Sequence, residues 1–192
     1  MAENHQPALT ANRRPPAMPI PLVMTIISPD RTGLVEAVAR AVADHGGNWL
    51  ESRMCRLGGE FAGILRVEIP ADAKAGLLAA LQRLQANGLQ IVVREDAPAA
   101  AAAGRQTRLE IVGADRPGIV REITSALTRA GVNVEEFSSE VGSAPMSGEP
   151  LFKAAARLQL PAGCDRAALK RDLEKIAADL LVDVSFAEVG AH

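Results

Sequence analysis

Apolar residues recur along this chain in two alternating rhythms, and the whole alternation occurs twice. Residues 22–27 form an apolar run with β-branched side chains, suited to a buried strand, and Pro29 closes it. The spacing then becomes helical: Leu34, Val35, Val38, Ala39 and Val42 fall on one stripe, and Gly46 supplies the left-handed residue that ends it. Residues 49–57 and 60–69 read as two strands joined by Gly58-Gly59, a two-residue hairpin connection because both positions accept positive φ. Asp72 is placed to cap a second helix whose stripe is Leu77, Leu78, Leu81 and Leu84. Asn87-Gly88 close that helix, and residues 89–94 form a last strand.

Sliding the chain against itself by 85 positions lays Ser-Pro-Asp-Arg-Thr-Gly-Leu-Val (28–35) on Gly-Ala-Asp-Arg-Pro-Gly-Ile-Val (113–120). The same offset pairs Val38 with Ile123, Val42 with Leu127, Gly46 with Gly131, Asn48 with Asn133 and Glu51 with Glu136. Past the hairpin the offset is 91, matching Phe61 to Phe152 and Pro70 to Pro161, so the second copy holds six extra residues near Gly142 and Pro150. They read as a surface loop. The second copy therefore predicts a strand over 107–112, a helix over 118–130, strands over 132–141 and 151–160, a helix over 165–178 and a strand over 181–189. Each copy is βαββαβ: an α+β chain of two tandem ferredoxin-like modules with antiparallel sheets.

This reading divides the 192 residues into a Pro-rich disordered tail (1–21), a first module (22–96), an alanine-rich linker (97–104) and a second module (105–192). A unit of about 70 residues is marginal alone, and its sheet keeps open edges and a bare face. Modules packed side by side, and a homodimer, are the expectation.

Composition narrows the function. A formal net charge of -2 from 21 basic and 23 acidic residues leaves no electrostatic footprint for nucleic acid. No apolar run is long enough for a signal peptide or a membrane span, which predicts a cytoplasmic protein. Cys55 and Cys164 have no metal or redox spacing, and His5, His45 and His192 have no partner at metal or triad spacing. Neither metal, cofactor nor catalysis is expected. His45 is suited to the negative end of a helix dipole, and Trp49 to packing.

The repeated chemistry lies in the turn from first strand to first helix, Asp30-Arg31-Thr32-Gly33 and Asp115-Arg116-Pro117-Gly118. Pro117 suits the first helical position, and each glycine leaves a helix N-terminus open to close approach. A free carboxylate there meets unpaired amides and the positive end of the helix dipole. Asn48 and Asn133, at the start of the next strand, carry side-chain amides able to accept from an ammonium group. Asp30 and Asp115 are able to neutralise that group, although capping is the commoner role for such an aspartate. Arg31 and Arg116 either hold an anion or lie in solvent.

Asp-Arg-Pro-Gly-Ile-Val followed by Gly131-Val132-Asn133 resembles an ACT domain, and the first copy matches as well. With two modules and little else, and with Gly46-Gly47-Asn48-Trp49-Leu50-Glu51-Ser52 and Leu57-Gly58-Gly59-Glu60-Phe61, the chain resembles the glycine cleavage system transcriptional repressor family. Thr32 departs from the proline preferred there. The resemblance implies binding of a small amino acid, glycine or a relative, mainly through backbone in a groove between modules, and action through a DNA-binding activator protein rather than direct DNA contact. The implied ligand contacts are Asp30, Arg31, Gly33, Leu34 and Asn48, with Asp115, Arg116, Gly118, Ile119 and Asn133. Two other readings remain open: a dimerisation or interaction scaffold without ligand, and a regulatory fragment related to formyltetrahydrofolate deformylases, whose catalytic domain this sequence lacks.

Overall fold

The computed structural model describes residues 18–96, 104–145 and 148–188. The chain divides into two compact units, residues 1–98 and 99–192. The expected tail up to residue 17, and the linker apart from Gly104, lie outside the described residues.

The first unit runs β1 (Pro19–Pro29), α1 (Leu34–Asp44), β2 (Asn48–Leu57), β3 (Glu60–Pro70), a 3₁₀ turn (Ala71–Ala73), α2 (Lys74–Ala86) and β4 (Gln90–Glu95). Its antiparallel sheet has the order β2-β3-β1-β4. Alternate residues Leu22, Met24 and Ile26 of β1 and Leu65, Val67 and Ile69 of β3 are buried under α1 and α2, which contribute Leu34, Val38, Val42, Leu77 and Leu81. Each such side chain is worth about 1.5–3 kcal/mol.

The second unit repeats the order with β5 (Gly104–Ala114), α3 (Ile119–Arg129), β6 (Asn133–Ser143), β7 (Pro150–Pro161), α4 (Arg166–Leu180) and β8 (Val182–Glu188), in the sheet order β6-β7-β5-β8. Leu109, Ile111, Ile119, Ile123, Leu158 and Leu173 lie at its centre. Both β2 and β6 carry a register shift at the same place, between Trp49 and Glu51 and between Val134 and Glu136. Among the described residues no helix is long and apolar enough to cross a membrane.

The structure differs from the sequence reading at four places, each for a local reason. Strand β1 starts at Pro19, inside the stretch expected to be disordered. The segment read as a strand from its apolar run is the part of β1 flanked on both sides, since β4 pairs only with Leu22 through Ile27. Prolines 19, 21 and 29 fall outside it, where a missing N–H leaves no gap on the β4 side. Asp72 does not cap α2: the 3₁₀ turn carries it back from the helix start, and the N-cap is Ala73 with no side-chain hydrogen bond. Asp165 does cap α4, accepting from the Ala168 amide at 2.9 Å.

Pro117 precedes the N-cap Gly118 instead of opening the helix. Leu181 is the left-handed residue that ends α4, with φ 55°, and β8 begins one residue later. Its counterpart by strand register is Gly88, also at positive φ.

Candidate functional site

The two strand-to-helix turns have one backbone geometry. Gly33 has φ 90° and ψ 3°, and Gly118 has φ 98° and ψ -9°. These are the angles of the third residue of a type II turn, which demands glycine there and favours proline just before it. That accounts for Pro117 and shows why Thr32 is tolerated: only the ring's preference is lost.

Each glycine is the N-cap, its carbonyl accepting the first helical bond from Ala37 at 2.9 Å or Glu122 at 3.0 Å. Among the described residues no side chain caps either helix, and a Cβ on either glycine would meet nothing within 4 Å. Leu34 and Ile119 follow with buried side chains, so they can offer a ligand only main-chain groups.

An antiparallel clamp anchors both turns. The Asp30 amide donates to the Gly59 carbonyl at 2.8 Å, and the Asp115 amide to the Pro150 carbonyl at 3.1 Å. Beyond the backbone the turns diverge. In the first, Arg56 of β2 forms an ion pair with Asp30 at 2.5 Å, and Arg31 donates to the Asn87 carbonyl at the end of α2 at 2.7 Å. In the second, Val141 occupies the position of Arg56. Among the described residues the side chains of Asp115 and Arg116 make no hydrogen bond or ion pair.

Asn48 and Asn133 are not brought to these turns. Pro29 at the turn end pairs with Glu60, whereas Asn48 pairs with Glu68. Eight residues of β3 at about 3.3 Å each put roughly 26 Å between them. The same holds for Ala114 opposite Leu151 and Asn133 opposite Gln159. Because α1 and α3 run the length of the sheet before the second strand begins, one ligand in one module cannot touch both the glycine turn and its asparagine.

Two ACT-domain family models match the chain, over residues 21–94 and 107–145. The chain is a tandem ACT-domain protein. The second match stops at residue 145, in the lengthened turn between β6 and β7 of that ACT module. No curated protein sequence matches.

Among solved structures, an unknown protein from Galdieria sulphuraria is 28% identical, with a TM-score of 0.78 over 90% of this chain and all of its own. A protein provisionally named as a glycine cleavage system transcriptional repressor is 19% identical, with a TM-score of 0.64 over 91% of this chain and all of its own. A formyltetrahydrofolate deformylase from Pseudomonas putida is 18% identical over 45% of this chain and 30% of its own, at a TM-score of 0.39.

The sequence reading of the ACT turns missed Arg56 and Asn87, which reach Asp30 and Arg31 from other elements. Their residue types carry no signal: the sheet register brings in Arg56, and the end of α2 brings in Asn87. Elsewhere, His45 closes α1 through its ring Nδ1, which lies 2.7 Å from the Ala41 carbonyl and donates to it because a carbonyl only accepts. Trp49 packs against the first core. Glu95 is held below the usual carboxylate range by Lys74, first through a hydrogen bond and second through its charge. It lies at the end of the sheet remote from the turn, opposite Leu22. A cavity of about 610 Å³ in the second module, lined by Arg105, Thr107, Leu160 and Arg166 among others, also lies at the end away from Gly118.

Proposed function

We propose that this tandem ACT-domain protein is a cytoplasmic amino-acid-sensing regulator, with glycine as the first ligand to try, and that it acts through a protein partner such as a DNA-binding activator. The observation that carries the reading is the uncapped start of α3. Among the described residues its first amides are met by no side chain, Gly118 keeps the approach open, and the Asp115 and Arg116 side chains beside it are free to meet an ammonium and a carboxylate. The repressor name borne by a protein of the same two-module fold supports a transcriptional role, and the net charge of -2 favours a protein partner over DNA. The binding residues in this reading are Asp115, Arg116, Gly118 and Ile119, with Asp30, Arg31, Gly33 and Leu34 as a second site too weak to give the shift while Arg56 and Asn87 engage Asp30 and Arg31. Asn48 and Asn133 drop out.

The experiment is a thermal-shift panel of the common amino acids on the full chain. A ligand at a hundred times its dissociation constant adds about 2.7 kcal/mol to the folded state. A shift with glycine or serine that disappears in Gly118→Val supports the reading; no shift with any amino acid overturns it. Partner capture with and without the responding amino acid then tests the second step.

A scaffold without ligand is the other reading, and one observation favours it: in the first module Asp30 and Arg31 are already engaged by Arg56 and Asn87.

A further inference from the structure

Each ACT module covers one face of its sheet with two helices and leaves the other open, and the two open faces differ in kind. In the second module the open face is charged. Arg108 and Glu110 of β5 pair at 2.9 Å, Arg157 of β7 pairs with Glu136 of β6 at 3.1 Å, and Lys153 lies beside them. This is a surface built for water.

The first module is apolar at several of the matching positions, while Glu51 and Arg66 keep the charges of Glu136 and Arg157 at its edge. By register, Val23 stands where Arg108 does, Ala62 for Lys153, Ile64 for Ala155 and Val92 for Ser185. Ile64, Thr25 and Val92 are direct cross-strand neighbours on β3, β1 and β4, with Ile27 and Ala62 paired in the next row. Ile27 is 41% exposed, Ile64 48% and Val92 56%. Around this patch the same face carries both signs of charge: Glu51 and Arg53 on β2, Arg66 on β3 and Arg94 on β4.

We propose that the open sheet face of the first module is the homodimer interface, packed face to face on the same face of a second copy. An apolar centre with a charged rim is the anatomy of such an interface. Both signs in the rim allow a two-fold axis to set Glu51 of each copy near an arginine, Arg53 or Arg94, of the other. Four strands about 4.8 Å apart, over four side-chain rows, make a footprint of roughly 500 Å² before side-chain relief is added, of the order of the ~800 Å² per partner that a stable interface buries. The charged face of the second module does not fit as the occupant, because burying Arg108 or Lys153 against isoleucine strips their water without replacing it. The proposal is independent of amino-acid sensing, and either can fail alone.

The test is sedimentation of the full chain over a concentration series, with Ile64→Lys and Thr25→Lys on the first face and Ala155→Lys at the matching position of the second. Wild type is expected to be a dimer, Ile64→Lys to weaken dimerisation about thirtyfold or more, as loss of a central contact does, and Ala155→Lys to leave it unchanged. Thr25 is already polar and exposed, so Thr25→Lys gives the same loss without threatening the fold. A monomeric wild type, a dimer indifferent to both first-face lysines, or a dimer equally sensitive to Ala155→Lys overturns the proposal.

Discussion

The glycine turns of the two modules share a backbone and differ in what holds their side chains. In the first, Asp30 is tied to Arg56 and Arg31 to the Asn87 carbonyl; in the second, Val141 stands in place of Arg56, and among the described residues the side chains of Asp115 and Arg116 make no such tie. Duplication preserved the part that fold and glycine dictate, namely the angles of Gly33 and Gly118 and the amide clamp to the opposite hairpin. It left the charged groups to vary, because an exposed ion pair contributes little to folding. The aspartate of a turn can thus be tied or released by one residue on a neighbouring strand at almost no cost in stability.

The two turns should separate most strongly at their glycines. Gly118→Val and Gly33→Val each force a β-branched residue into left-handed backbone, and each should lower stability by about 2 kcal/mol in urea unfolding. Only Gly118→Val should also remove the amino-acid thermal shift; loss of the shift from Gly33→Val alone would reverse the roles of the two turns. Helix starts come next. Asp165→Ala removes a working cap and should cost about 1 kcal/mol, while Asp72→Ala, which caps nothing, should change the urea midpoint hardly at all.

Leu181→Gly tests the other end of α4. A leucine at φ 55° is strained, so glycine there should raise the melting midpoint by an amount equivalent to roughly 0.5–1 kcal/mol. The smallest effect on stability is the most informative about the turns. Val141→Arg gives Asp115 the partner that Asp30 has, and should move stability by less than about 1 kcal/mol while weakening the amino acid's binding several-fold in a titration. Unchanged binding would show that Asp115 takes no part.

Much of this architecture was legible in the sequence because it rests on local rules. Apolar periodicity and the repeat at 85 and 91 positions located all twelve principal elements, and Gly58-Gly59 placed a hairpin where β2 and β3 meet. What was not legible depended on geometry that spacing does not encode. A single 3₁₀ turn displaced Asp72, a leucine took a conformation usually left to glycine, and the full length of α1 carried Asn48 to the far end of the sheet from Gly33. Arg56 is 26 positions from Asp30 and meets it only through the antiparallel register.

The lengthened hairpin between β6 and β7 has a practical use. Its stem is stitched by two main-chain bonds, from the Ala144 amide to the Glu149 carbonyl and from the Gly148 amide back to the Ala144 carbonyl. The acceptor that anchors the glycine turn, the Pro150 carbonyl, lies outside that stitch. A reporter domain spliced between positions 144 and 149 therefore has adjoining attachment points and leaves the Pro150 acceptor of the glycine turn in place one residue away.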